Sequence, residues 1–215
     1  MRQAEAGAAL TLVQWLSPAF PVGGYAYSHG LEWAISAGEI GNAADLRAWL
    51  EDALRFGAGR SDAVLLAHAL GEGADYPALA ALAEALAPSR ERLTETLDQG
   101  RAFLQVINAL QGREWPEMPY PVALGAAARD LGLPPAQIVA QYLHAFASNL
   151  VQGAVRFVPL GQTEGQGVLA ALHPLMLEVA AEACETALDE LGGAALRLDL
   201  AAMRHETMEV RIFRT

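Results

Sequence analysis

The sequence predicts an all-α protein, and three observations support this class. Along most of the 215 residues, apolar side chains recur at intervals of three and four, which places them on one face of a helix. Residues that favour helix ends stand where these stripes begin and end. Only residues 196–200 and 208–213 alternate with the period of a strand, and two such short segments cannot form a parallel sheet.

In the first half of the chain, helices are predicted from caps and apolar stripes. An apolar run at residues 8–16 ends before Pro18 and is too short to span a membrane. Asn42 favours the start of one helix and Ser89 the start of a longer one, because both side chains cap free N–H groups well. Pro77 suits the first turn of a helix between them. The longer helix has a predicted contact seam of Leu93, Leu97, Gly100, Leu104 and Ile107.

In the second half, the pattern continues after an irregular segment, residues 112–121, that is predicted to be an exposed loop. A helix over residues 121–131 is predicted to end at Gly132, since glycine favours the position after a helix. The next helix begins near Pro135 and is stopped at Pro159.

The last predicted helix opens at Thr163 and Gln166, which have the spacing of a capping box. It extends to about residue 191, and Pro174 is predicted to kink or split it. Together the elements predict one domain over residues 1–215. This domain is a bundle of about eight to ten helices, with a C-terminal tail from about residue 204 that can be flexible.

The composition argues against several classes of function. With a net charge of −11, and with arginine as the source of all fourteen basic residues, the chain repels a phosphate backbone, so nucleic-acid binding is not expected. Apolar residues make up 53% of the chain, which predicts apolar surface that partners cover. The one cysteine, Cys184, excludes an internal disulfide, suits a reducing cytoplasm and is predicted to be buried. No uncharged apolar run of about 18 residues occurs, so a cytoplasmic location without membrane contact is expected.

Residues 26–30, Ala-Tyr-Ser-His-Gly, have a loosened form of the nucleophile elbow G-x-S-x-G. An elbow needs a strand before the serine, and the preceding Pro-Val-Gly-Gly is poor strand material. Ser28 is instead a good cap for a following helix with Leu31, Ala34 and Ile35 on its apolar face. A serine hydrolase is therefore a weak alternative.

Metal-binding and cofactor-binding motifs are not apparent. The histidines are scattered singly, and no H-x-x-x-H, C-x-x-C, H-E-x-x-H or P-loop motif occurs. At most weak metal binding is expected, and no catalytic, cofactor-binding or metal-ligating residue is assigned. The lack of a catalytic constellation favours a binding or scaffold protein. The histidines are His29, His68, His144, His173 and His205.

Polar side chains cluster around one predicted helix junction. Two interpretations stay open: the side chains cap a buried helix end, or they line an interface or a polar passage. The cluster consists of Asn149, Gln152, Arg156, Gln162 and Gln166.

Three long segments carry a resemblance to a known family. They are LSPAFPVGGYAYSHGLEWA, SNLVQGAVRFVPLGQTEGQ and the terminal MRHETMEVRIFRT. In this order, and with helical sequence between them, they strongly resemble the urease accessory protein UreF family over nearly the whole chain.

The resemblance implies an adaptor and not an enzyme. Such proteins are expected to form homodimers, to bind the accessory protein UreD (also called UreH), and with it to recruit the GTPase UreG. The complex is expected to assist insertion of nickel into apo-urease, with GTP hydrolysis timing the release of the metal. Nickel is then handled by the complex, and this urease-maturation chaperone has no tightly bound cofactor. A generic helical scaffold and a hydrolase using Ser28 are the alternatives.

The resemblance also assigns partner-binding residues at two places. The first group, at the start of a helix, is Tyr27, Ser28, Gly30, Leu31 and Glu32. The second group, in the tail, is Arg211, Ile212, Phe213 and Arg214. Because the tail alone can bury little apolar surface, it is predicted to become ordered on a partner. The core is expected not to need the residues from 204 onward.

Overall fold

A computed structural model describes residues 2–214 and confirms the all-α class. Met1 and Thr215, the two ends of the predicted domain, lie outside the described residues. Residues 2–214 form eleven α-helices and three short 3₁₀ turns, without a strand. The helices are α1 (Arg2–Leu16), α2 (Leu31–Ser36), α3 (Ala43–Arg55), α4 (Ala58–Ala69), α5 (Tyr76–Ala85), α6 (Arg90–Gln111), α7 (Tyr120–Ala128), α8 (Pro135–Ala154), α9 (Gln162–Ala171), α10 (His173–Glu185) and α11 (Leu196–His205).

The predicted helix caps are present. The Oδ1 atom of Asn42 accepts the N–H groups of Ala44 and Asp45 at 2.8 and 3.0 Å, at the start of α3. The Oγ atom of Ser89 accepts the N–H of Arg92 at 3.1 Å, at the start of α6. These short polar side chains satisfy N–H groups that have no partner inside the helix, so they fix where each helix begins.

The hydrophobic core is arranged around α7, in which every residue is buried. Helix α7 packs against α4 and α6, and α8 packs along α10 and α4. Gly100 allows α6 to approach the chain that leads into α7, because a Cβ atom at this position would overlap the carbonyl oxygen of Met118. The close backbone contact predicted at Gly100 is therefore confirmed.

The strand-like alternation near the C-terminus is a wrong prediction. Residues 196–200 belong to helix α11, and residues 208–213 form no strand. Helix α11 packs against α2, and this leaves Leu196 and Leu200 exposed. Its buried residues have helical spacing and are Leu198, Ala201, Ala202 and His205.

Pro174 splits the last predicted helix, as expected, because α9 ends at Ala171 and α10 begins at His173. Two ends differ from prediction. Helix α10 ends at Glu185 and not near residue 191. Helix α9 has Gly161 as its N-cap, since Glu164 accepts the N–H of Gly161 at 2.9 Å, so the capping interaction does not begin at Thr163.

Some side chains lie elsewhere than predicted. Cys184 is exposed, because it lies on the solvent side of α10 beside the buried Ala183. On α6, Leu93 and Leu97 are only half-buried, because polar side chains occupy the buried face of the first turns. Those polar residues are Arg92, Glu95, Thr96 and Gln99.

One helical stretch among the described residues, Gln162–Glu185, is long and apolar enough to cross a membrane by length and composition alone. It consists of α9 and α10, which are separated at Leu172 and contribute residues such as Val168 and Val179 to the core. A core helix passes the same test, so this stretch is weak evidence for a membrane span.

Candidate functional site

The start of α2 is fixed by a glycine that packs against α11. Gly30 has a φ of 77°, in the left-handed region that favours glycine. A Cβ atom at this position would lie 2.5 Å from the backbone nitrogen of Ala202 in α11. The two helices therefore meet closely because residue 30 has no side chain.

Glu32, in the first turn of α2, holds the C-terminal tail, residues 206–214. Its Oε1 atom accepts the backbone N–H of Ile212 at 2.8 Å, and its Oε2 atom accepts that of Phe213 at 3.0 Å. Burial raises the pKa of Glu32, but hydrogen bonds from His205 and these two amides outweigh it and lower the pKa below its ordinary value. Hydrogen bonds to an ionised carboxylate are stronger than neutral ones, so Glu32 is a suitable anchor for the tail.

His205, at the end of α11, joins Glu32 to Glu91 of α6. Its Nε2 atom lies 2.9 Å from Oε2 of Glu32, and its Nδ1 atom lies 2.7 Å from Oε2 of Glu91. A neutral imidazole donates from only one nitrogen, so both contacts are hydrogen bonds only when the ring carries two protons. Glu91 also accepts from the guanidinium of Arg211 in the tail. We call Glu32, Glu91, His205 and Arg211 the tail clasp.

Phe213 anchors the tail to the bundle. Its ring is buried and lies 5.4 Å from the ring of Phe157, measured between centroids, in an edge-to-face arrangement. A Cβ atom at Gly153 of α8 would lie 3.3 Å from this ring, so the glycine leaves room for it. The N–H of Arg214 donates to the carbonyl of Ala26 at 2.7 Å. The tail therefore packs against the segment that precedes α2.

The structure brings the two groups of predicted partner-binding residues together, because Glu32 binds the backbone of Ile212 and Phe213. The first group is buried throughout: Tyr27, Ser28, Gly30, Leu31 and Glu32. In the tail Phe213 is buried, whereas Ile212 is 68% exposed and Arg211 and Arg214 are exposed. In this conformation the first group supports the tail, and the side chains open to a partner belong to the tail.

The tail begins later than predicted. Helix α11 continues through His205, which is completely buried in the tail clasp. This placement argues against the expectation that the core does not need residues from 204 onward, because His205 connects three helices.

Ser28 has a structural role at the start of α2. It is 2% exposed, and its Oγ atom accepts the N–H of Glu32 at 3.3 Å. Ser28 therefore binds an N–H in the first turn of α2, but the prediction that it is the N-cap is wrong, because the N-cap residue is Gly30. The chain before Ser28 forms the 3₁₀ turn Gly24–Ala26, whereas a nucleophile elbow has a strand there.

A buried polar network on α6 contacts the same segment. Glu95 forms an ion pair with Arg92, and one of its oxygens lies 2.9 Å from Nε2 of His29, which adjoins Ser28. Burial raises the pKa of Glu95, but the charges of Arg92 and His29 lower it to about 2. Glu95 is therefore an anion at neutral pH and holds the loop before α2 in place.

The network continues to α4 and α8. The hydroxyl of Tyr142 donates to Oδ2 of Asp62 at 2.7 Å. Burial raises the pKa of both groups above their ordinary values, so the tyrosine keeps its proton. A cleft opens beside these groups, between α1, α4, α6 and α8. We call Asp62, Arg92, Glu95, His29 and Tyr142 the polar network. All five of these residues line the cleft, together with Trp15, Tyr27 and Asn149.

The predicted polar cluster at the end of α8 does not line a passage as a group. Asn149 borders the cleft, whereas the others are exposed: Gln152, Arg156, Gln162 and Gln166. Among residues 2–214, no group of three or more His, Cys, Asp or Glu side chains is placed to hold a metal ion.

Known proteins are similar to this chain over most of its length. The sequence profile of the UreF family matches residues 40–173. The chain belongs to the UreF family. Relatives bearing the name urease accessory protein UreF extend the similarity to the regions on either side of that match. One from Cereibacter sphaeroides (strain KD131) is 67% identical over 208 residues, which cover 97% of this chain and 99% of the relative.

More distant relatives in the UreF family cover the chain equally well. The protein from Dinoroseobacter shibae is 56% identical over 97% of this chain and 99% of its own. The protein from Azorhizobium caulinodans is 46% identical, and the match covers the whole of both chains. Both are named urease accessory protein UreF. The UreF family resemblance of the three sequence segments is therefore confirmed.

Several residues of the site escaped sequence-based prediction: His205, Glu91, Arg92, Glu95, Asp62 and Tyr142. A signal existed for Arg92 and Glu95, because helical spacing places them on the face of α6 that continues to Phe103. The charge of these two residues outweighed their spacing in the prediction, because charged side chains are usually exposed. The tail clasp had no local signal, since its members come from distant parts of the chain.

Proposed function

We propose that this chain is an adaptor in urease maturation. The observation that carries the proposal is the 67% identity over 97% of the chain to a protein named urease accessory protein UreF. Identity at this level extends over 97% of this chain and 99% of the relative. A generic helical scaffold without a link to metal would give no reason for such similarity.

In this role the chain forms a homodimer in the cytoplasm, binds UreD (UreH) and recruits the GTPase UreG. The complex assists GTP-dependent insertion of nickel into apo-urease. The chain itself has no catalytic step and no tightly bound cofactor, and nickel is handled by the complex. The structural context of Ser28 supports a non-catalytic role, because its hydroxyl is buried and binds an N–H in the first turn of α2.

The exposed apolar side chains near the C-terminus support the tail as the UreD-binding region. Val210 and Ile212 are 80% and 68% exposed, although the backbone N–H of Ile212 is bound by Glu32 of the tail clasp. Helix α11 carries further exposed apolar residues, namely Leu196, Leu200 and Met203. Burial of Val210 and Ile212 against a partner contributes about 1.5–3 kcal/mol for each before the cost of association. That amount is sufficient to decide whether a complex forms.

The proposal is tested by co-purification of the full chain with UreD and UreG, with and without GTP. The expected result is that the chain binds UreD, and that UreG joins only when both are present. The double variant Val210→Ser with Ile212→Ser is expected to lose UreD. Leu177→Ser is the matched control, because Leu177 on α10 is 64% exposed and lies outside the tail.

Two results would contradict the proposal. If the unmodified chain binds neither UreD nor UreG, the adaptor function is wrong. If the double variant binds UreD as well as Leu177→Ser does, the adaptor function stands and the interface lies elsewhere.

A further inference from the structure

Two histidines from different helices meet on the surface of the bundle, outside both the tail clasp and the polar network. His144 lies in α8, and His173 is the first residue of α10. Both side chains are exposed. Their ring centroids lie 5.5 Å apart, and the ring planes are inclined by 47°. Neither residue is near the other in the sequence, so the packing of α8 on α10 creates the pair.

The backbone beneath the pair is rigidly placed. Leu143 and Leu172, the residues directly before each histidine, are both fully buried at 0% exposure. Pro174 fixes the start of α10 and with it the position of His173. Ligands on packed helices are held more accurately than ligands on loops, so the two imidazoles need little reorganisation to act together.

The separation of the rings matches that of two imidazoles bound to one metal ion. With metal–nitrogen bonds of about 2.0–2.1 Å and tetrahedral angles, the two ring centroids are about 5 Å apart. The observed distance of 5.5 Å between the centroids differs from this by a few tenths of an ångström. Imidazole nitrogen is a ligand that copper, nickel and zinc ions accept readily.

We propose that His144 and His173 form a two-histidine binding site for a divalent transition-metal ion such as Cu²⁺, Ni²⁺ or Zn²⁺. Water fills the remaining coordination positions, because the described residues place no third His, Cys, Asp or Glu beside the pair. The inference rests on this geometry alone and does not depend on the proposed function.

The test is isothermal titration of the full chain, free of any affinity tag, with each of the three metal ions at neutral pH. One ion per chain is expected. His144→Ala and His173→Ala should each weaken binding about tenfold or more, since each leaves a single ligand. His68→Ala is the control, because its Nε2 atom lies 2.9 Å from the carbonyl of Thr186, away from the pair. Thermal melts of all variants check that they are folded.

Electron paramagnetic resonance of the Cu²⁺ complex gives a second readout. Two equivalent nitrogen ligands are expected in the unmodified chain and in His68→Ala, and one in each single variant. The proposal is overturned if the unmodified chain binds none of the ions, or if the double variant His144→Ala with His173→Ala binds as tightly as the unmodified chain. It is also overturned if only one of the two single substitutions weakens binding.

Discussion

Glu32 and His205 are separated by 173 positions in the sequence, yet their side chains are joined at 2.9 Å in the interior of the bundle. The same carboxylate accepts two backbone N–H groups of the tail. One residue in the first turn of α2 therefore ties the end of α11 and the tail to the N-terminal part of the chain.

The role of Glu32 in holding the tail is tested with Glu32→Gln. The amide keeps the shape of the side chain but loses the charge, and its NH₂ group cannot accept one of the tail N–H groups. We expect a loss of about 1–3 kcal/mol in the free energy of unfolding, because a buried donor is left without a partner. Faster hydrogen exchange of the Ile212 and Phe213 amides is also expected.

The control for that substitution is Glu39→Gln. Glu39 forms a more exposed ion pair with Arg197, so its substitution should change the unfolding free energy by no more than about 0.5–1 kcal/mol. Unchanged exchange at Ile212 and Phe213 in Glu32→Gln would show that the carboxylate does not hold the tail.

Gly30→Ala tests the contact between α2 and α11. The new Cβ would meet the backbone of Ala202, in addition to the strain of a positive φ. We expect a loss of about 2–4 kcal/mol, from roughly 1–2 kcal/mol of backbone strain plus the cost of overpacking. Gly38→Ala is the matched control, because Gly38 has a φ of 78° but no atom within 4 Å of the added Cβ. Equal losses in urea denaturation would mean that the helix contact is not close.

The pH dependence of stability follows from the lowered carboxylate pKa values. The pKa of Glu95 is about 2 in the folded chain, compared with an ordinary value of 4.5. The unfolded chain therefore binds more protons in this range, so the stabilisation is present above pH 4.5 and is lost as the pH falls towards 2. Unfolding free energies measured between pH 3 and about 6 should fall on acidification.

Glu95→Gln should make that dependence shallower, since the titrating group is removed. Because the substitution leaves Arg92 buried without its partner, it costs about 3–5 kcal/mol and can prevent folding. Glu32→Gln is the second variant, and it should act in the same direction because the pKa of Glu32 is also lowered. If the unfolding free energy of both variants depends on pH as steeply as that of the unmodified chain, Glu95 and Glu32 are not the source of the pH dependence.

Ser28→Ala distinguishes a structural role of Ser28 at the start of α2 from a role as a catalytic nucleophile. Loss of the hydrogen bond to the N–H of Glu32 should lower the unfolding free energy by about 1 kcal/mol. Assays with activated esters should give the same rate for variant and unmodified chain. Loss of an ester-hydrolysing activity at unchanged stability would restore the hydrolase alternative.

The helices and their caps were accessible from the sequence, because a cap and an apolar stripe are local signals. Asn42 and Ser89 cap helices as predicted, and Gly100 lies at a predicted close backbone contact. The tail clasp was not accessible, since the partner of Glu32 is decided by how α11 packs on α2. The alternation at residues 196–200 indicated a strand, but the packing of α11 on α2 buries Leu198 and His205 at helical spacing.

The polar network was also not predictable from the sequence. Arg92 and Glu95 have the spacing of a buried face, but burial of charge is favourable only when partners from other elements complete the network. Here His29 supplies such a contact from the loop before α2. The predicted apolar seam through Leu93 and Leu97 failed for this reason.

Two C-terminal deletions test the tail as the UreD-binding region. Removal of residues 209–215 should leave a folded chain and should abolish binding of UreD. A modest loss of stability is expected, because the surface that Phe213 covers becomes exposed. Removal of residues 204–215 should lower the melting temperature much further, because it also removes the buried His205. If the shorter deletion binds UreD fully, the tail is not the interface.

The adaptor function is tested most directly by reconstitution of urease activity from purified apo-urease, UreD, UreG, GTP and Ni²⁺, with and without this chain. The expected result is strong activation of urease only when the chain is present. No activation is expected with the chain when UreG or GTP is omitted. The variant with Val210→Ser and Ile212→Ser should activate poorly, and Leu177→Ser should activate normally. Equal urease activity with and without the chain would contradict the proposed function.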